Sequence, residues 1–90
     1  MSVKVSWNHN LNSVEEYEVI EAAKYAWSLS DWAQKTKTLV EIVKQKLGGR
    51  WSALLSKQAT NGGHSSVIYS PKFIFLEIDD YYYFIWKSDS

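Results

Sequence analysis

Apolar and polar residues alternate in Val3-Lys4-Val5-Ser6-Trp7, which predicts a short first strand with one buried face. Asn8 to Asn12 is a polar break. Ser13-Val14-Glu15-Glu16 then fits a capping box, with the Ser13 hydroxyl accepting from first-turn amides and Glu16 reaching back to the Ser13 N–H. Val14, Tyr17, Ile20, Ala23 and Trp27 follow at helical spacing, widened by Ala22 and Ala26, so a first helix is expected from about Val14 to Ser28. Asp31 is the next cap candidate. Trp32, Thr36, Leu39, Val43 and Leu47, broadened by Val40 and Ile42, predict a second helix, which Gly48-Gly49 ends because glycine takes the left-handed C′ conformation without steric cost.

Beyond the glycines the pattern turns to strands. Arg50 to Leu55 and Ser65 to Tyr69 are the shorter candidates, separated by the turn-forming Thr60-Asn61-Gly62-Gly63. The segment FIFLEIDDYYYFIW, Phe73 to Trp86, reads as a hairpin with Asp79-Asp80 at its tip. Phe73 and Phe75 point one way, Ile74, Leu76 and Ile78 the other. Tyr81, Tyr83 and Ile85 alternate likewise with Tyr82, Phe84 and Trp86. A small antiparallel sheet usually keeps one wet face, yet both faces here are apolar. Burying each large side chain stabilises by roughly 1.5–3 kcal/mol, and two helices of about four turns cover one face only. A symmetric dimer with sheet faces packed together covers the other with one self-complementary patch.

At 90 residues the chain is expected to form one domain, residues 1–90. Its 46% hydrophobic content excludes a disordered chain, and it has no cysteine. The absence of thiols, of a signal-peptide core and of any long apolar run leads to an expected cytoplasmic location without membrane insertion. Ten basic residues balance ten acidic ones, which argues against a nucleic-acid partner. The charges are unevenly spread. Glu15, Glu16, Glu18 and Glu21 make the first third acidic; Lys35, Lys37, Lys44, Lys46, Arg50 and Lys57 make the middle basic. That basic stretch supports a minor alternative, binding to an anionic surface or nucleic acid.

No catalytic constellation emerges, and no cofactor is expected. His9 and His64 lack a partner at metal-ligand spacing. Gly63-His64-Ser65-Ser66-Val67 lacks the final glycine and the following helix of a nucleophile elbow. Gly48-Gly49 is followed by no G-K-[ST], and no EF-hand loop is present.

The order β-α-α-β-β-β-β, with Lys44-Gln45-Lys46-Leu47 closing helix two, Trp51 opening the next strand, Lys72-Phe73-Ile74-Phe75 and the terminal Phe84-Ile85-Trp86-Lys87-Ser88, resembles the eight-kilodalton dynein light chains over nearly the whole chain. The resemblance implies an α+β domain, two helices packed on an antiparallel sheet, assembled as a strand-exchanged homodimer. It also implies a non-enzymatic interaction module, cytoplasmic and cytoskeleton-associated, that binds extended peptides of dynein or other proteins by β-augmentation. Carried onto this sequence, the exchanged strand is Ser65-Ser66-Val67-Ile68-Tyr69, with Lys37 on the groove wall and Phe73, Phe75 and Glu77 in its floor. The dimer interface takes Trp51, Leu54, Val67, Tyr81, Tyr83 and Ile85.

The family usually has aromatics where Ser66 and Glu77 stand, and a shorter connector than Ser56 to His64. These departures would reshape or close the peptide groove. The histidine that commonly follows the strand-opening tryptophan is Ser52 here, so a pH-dependent dimer of that kind is not expected. The divergent sequence is also similar to the dynein-light-chain-like C-terminal domain of flatworm tegumental calcium-binding proteins. That resemblance implies a dimerisation domain excised from a larger tegumental protein, whose calcium sites lie in preceding EF-hands.

Overall fold

The computed structural model describes residues 2–57 and 70–88. Six elements follow one another: β1 (Val3–His9), α1 (Ser13–Trp27), α2 (Trp32–Leu47), β2 (Trp51–Ser56), β3 (Lys72–Ile78) and β4 (Tyr81–Lys87). The expected strand Ser65 to Tyr69 lies outside the described residues. The four described strands form one antiparallel sheet in the order β1-β3-β4-β2. Both helices pack on one face of it, giving a small α+β domain.

The first helix is capped one residue earlier than the sequence suggests. Asn12 Oδ1 accepts from the Glu15 N–H at 2.8 Å, and Glu15 Oε1 accepts from the Asn12 N–H at 3.0 Å. Glu16 is engaged elsewhere, accepting from Asn8 Nδ2 at 2.6 Å. Asn8 also bonds both backbone polar groups of Leu11, which fixes the entry from β1 into α1. The buried face of α1 differs too. Val19, Ala22, Ala23 and Ala26 are covered, whereas Val14 and Tyr17, expected inside, stand in solvent.

The second helix matches its pattern except at its first position, where Trp32, expected inside, stands exposed. Asp31 caps it, Leu39 and Val43 are buried, and Gly48 closes it at φ +70°. Lys44 and Lys46 complement the negative end of its dipole. Lys35 turns back from α2 toward the end of α1. Its Nζ donates to the carbonyl oxygens of Trp27 and Leu29, and it lies 4.4 Å from the Trp27 ring centre. The ammonium thus satisfies carbonyls that the end of α1 leaves unpaired.

The hairpin is tight. Ile78 pairs with Tyr81, so Asp79 and Asp80 alone make the turn, both at positive φ (47° and 69°). The expected alternation of β3 and β4 holds: Ile74, Leu76, Ile78, Tyr83 and Ile85 join the helix-side core, and Phe73, Phe75 and Phe84 form a second cluster on the far face. In β1 the alternation breaks. The register shifts between Val5 and Trp7, a bulge that leaves Val3 and Val5 on the helix side and turns Trp7 onto the far face. The strand then runs on to His9, beyond the expected end at Trp7.

Candidate interaction site

Three residues expected at a dimer interface belong to the chain's own core. Trp51, Tyr83 and Ile85 lie beneath the helices, each almost wholly buried. Trp51 Nε1 donates to the Gly48 carbonyl at 2.7 Å, and the Tyr83 hydroxyl to the Lys35 carbonyl at 2.8 Å. Burial pushes the Tyr83 hydroxyl well above the ordinary tyrosine range, because the phenolate would lose its water. Tyr81 is half-buried on the same side, its ring 5.2 Å from both Trp27 and Trp32. These side chains have no surface to offer through the open sheet face. The period-two pattern separated the two sets correctly, but the assignment of Tyr81, Tyr83 and Ile85 to the partner had the wrong parity. The helices need them: Trp27 and Lys35 reach down from above.

The face turned away from the helices belongs to Phe73, Phe75, Phe84, Tyr82 and Trp86. Trp7 stands edge-on over Phe73 and Phe75, at 4.9 and 5.5 Å, and His9 stacks on Phe73 at 4.8 Å. The three phenylalanines are buried within a single chain, so less apolar surface remains than the sequence pattern suggests. What remains is a rim: Trp7 (46% exposed), Leu54 (43%), and the half-buried Tyr82 and Trp86. Leu54, paired with Phe84 across β2 and β4, is the one described residue of the expected interface that is open on this face.

Glu77 shares the parity of Phe73 and Phe75, opposite Lys4 on one side and Tyr82 on the other, at the hairpin end of the sheet. Lys37 lies elsewhere. It is exposed on α2 and lines a cleft of about 380 Å3 with Thr36, Val40, Glu41, Lys44 and the β2 residues Trp51 to Ala53. One chain therefore does not bring the expected groove wall and floor together: Lys37 is above the sheet at the β2 edge, whereas Phe73 and Phe75 are below it on β3. The remaining expected groove residues, Ser65, Ser66, Val67, Ile68 and Tyr69, lie outside the described residues.

Beside this cleft, β2 pairs with β4 along one edge. Along Trp51 to Leu55, no described strand pairs with its other edge. Such an edge carries backbone donors and acceptors that another strand can complete. The signal for it in the sequence was weak, because edge status depends on how the strands are ordered and no local pattern reports that. Tyr82 and Trp86 are displaced from the expected interface by the parity of β4, and Trp7 by the bulge in β1.

The basic stretch of α2 does not act as one surface. Lys35 is bound to backbone carbonyls, and Lys37 and Lys44 border the β2 cleft. Lys46 lines a different groove, between the helices. At the start of β3, Lys72 Nζ meets Glu15 Oε2 at 2.6 Å. Burial alone would raise the Glu15 pKa. The bond from Lys72, that from the Asn12 amide and the nearby Lys87 charge outweigh it and hold the carboxyl below its usual value.

Among the described residues no three His, Asp or Glu side chains converge as metal ligands. No helix among them is long and apolar enough to cross a membrane. These features define a small α+β domain with one sheet face under helices, one aromatic face and, among the described strands, β1 and β2 at the two edges. No protein-family model matches the chain, and no curated protein matches it at a significant level.

Proposed function

We propose that the protein is a non-enzymatic interaction module of the dynein-light-chain-like kind, which forms a homodimer and completes its sheet at the edge of β2. The observation that carries this reading is the edge of β2 along Trp51 to Leu55, which no described strand pairs, beside the cleft under α2, with Leu54 exposed on the far side of the same strand. The strand that completes the edge is Ser65 to Tyr69 of a second copy, and the helix-free faces meet around Leu54, Trp7, Tyr82 and Trp86. A two-fold arrangement suits this geometry, because Lys37 and the Phe73–Phe75 pair can share a groove only if they come from different copies. An extended peptide then adds as a further strand within the cleft. Glu77, charged on an otherwise aromatic face, disfavours acidic residues in that peptide and selects against them.

The test is a titration of the isotope-labelled dimer with a short extended peptide of the dynein intermediate-chain type. Amide resonances of Trp51 to Leu55 and Ser65 to Tyr69 should shift together with that of Lys37. Unchanged resonances at millimolar peptide would remove peptide binding and leave dimerisation as the whole role, with the groove lost as in a dimerisation domain of a larger protein.

A further inference from the structure

The corner between β1 and α1 holds the start of β3 by two ties. One is the ion pair of Glu15 with Lys72. The other is Asn10, which follows β1 in a left-handed conformation at φ +66°. Its Nδ2 lies 3.1 Å from His9 Nε2 and 3.2 Å from the carbonyl oxygen of Pro71, the residue before β3.

The Pro71 oxygen can only accept, so it decides which end of the Asn10 amide turns toward it: the NH2. The second hydrogen of that group points at His9, and the ring nitrogen it meets must be a bare acceptor. Neutral His9 therefore carries its proton on Nδ1 and a lone pair on Nε2. Stacking holds the ring in place, with its centre 4.8 Å from that of Phe73 and the two planes 17° apart.

We propose that His9, Asn10 and Pro71 form a proton-operated latch on the start of β3. A proton taken up at Nε2 turns that atom from acceptor into donor, and it then faces the Asn10 NH2 donor to donor. Turning the Asn10 amide over relieves this by presenting Oδ1 to the imidazolium. A single nitrogen makes both bonds, so the same turn withdraws the donor from Pro71 and sets Oδ1 against its carbonyl oxygen. The latch is closed with His9 neutral and opens when it is protonated. The charged groups around this corner are engaged or face away. Lys72 and its cross-strand neighbour Lys87 lie on the helix side near Glu15, and Glu16 is held by Asn8. On the far face Glu77 and Tyr82 sit opposite each other toward the hairpin, with Lys4 beside Glu77. Residues 65–69 join β3 through Ser70 and Pro71, so in the proposed dimer the latch stands at the root of the crossing strand. That consequence rests on the dimer; the latch itself needs one chain only.

The experiment is NMR on the isotope-labelled full chain, titrated from about pH 8 to about pH 5, which spans the range in which histidine changes charge. Long-range proton–nitrogen spectra of the imidazole report the tautomer, and the Lys72 amide nitrogen reports the peptide unit that contains the Pro71 carbonyl. The wild type is compared with Asn10→Gly, which keeps the positive φ, and with His9→Phe, which keeps a ring over Phe73. The wild type should show the Nδ1–H tautomer at the upper pH, the reverse of the Nε2–H form that free imidazole side chains favour. Its Lys72 amide should shift with the same midpoint as the His9 ring. In Asn10→Gly the tautomer should revert to Nε2–H, and in both variants the Lys72 response over this range should be lost. An Nε2–H tautomer in the wild type overturns the proposal. So does a Lys72 response that is absent from the wild type or survives in His9→Phe. A monomeric chain that still shows the tautomer and the coupled shift supports the latch and removes only its link to the crossing strand.

Discussion

Asp79 and Asp80 occupy the turn between β3 and β4 at positive φ, a region that aspartate tolerates and glycine enters freely. Asp79 has a second role, because its Oδ2 accepts from Trp27 Nε1 at 2.8 Å. Asp80 has no such bond among the described residues. Asp80→Gly gives the Asp-Gly pair that two-residue hairpins favour, and should raise stability by about 0.5–1 kcal/mol in urea unfolding. Asp79→Gly should gain less, since it loses the Trp27 bond. At the other end of the sheet, Glu15 joins the α1 cap to Lys72. Its lowered pKa means that the folded state holds the proton less tightly than the unfolded one. Its contribution is therefore present above the ordinary glutamate pKa, about 4.3, and is lost as pH falls below it. Urea unfolding between pH 6 and 3, taken as roughly the window around that value, should show a decline that Glu15→Gln flattens. The spacing predicts a capping box at Ser13 and Glu16; the structure forms it one residue earlier, at Asn12 and Glu15, with Asn8 reaching across from β1 to claim Glu16.

The elements were legible where one period dominated. Helix α2 and the β3–β4 hairpin follow from their spacing, and the two faces of the hairpin separate as the alternation requires. Helix α1 misled in its first turns, where Val14 and Tyr17 face outward and Val19 inward, while Ile20, Ala22, Ala23, Ala26 and Trp27 lie on the core side as the spacing predicts. The bulge in β1 misled too: a single extra residue, opposed to none on β3, moves Trp7 to the far face without any change in the local pattern. The joint between the helices depends on Lys35, which a charge pattern alone reads as a solvated side chain. Lys35→Met leaves two carbonyls without their donor and should cost about 1.5–3 kcal/mol. Lys37→Met, on an exposed stretch of the same helix, should change stability by no more than about 0.5 kcal/mol. Thermal unfolding of the two variants side by side checks the contrast, and equal losses would show that Lys35 is not the joint.

At the scale of the whole molecule, the strand order β1-β3-β4-β2 matters most. It puts the two hairpin strands in the centre, which is why they are apolar on both faces, and it leaves β2 at an edge beside α2. No local sequence pattern encodes that order. The aromatic far face was legible as a surplus of apolar residues, but its size was not, because Trp7 and the half-buried Tyr82 and Trp86 pack against the phenylalanines within one chain. The part left open centres on Leu54 and Trp7. Multi-angle light scattering on the wild type and on Leu54→Arg at physiological salt tests this account most directly. Leu54 is exposed, so the substitution leaves the core intact, and both copies of a dimer would carry the new charge. The account predicts a wild-type mass near twice 10.4 kDa and a shift of Leu54→Arg to the monomer, with dimerisation weakened roughly a hundredfold. A wild-type monomer at micromolar concentration, or a dimer that Leu54→Arg leaves unchanged, would contradict it.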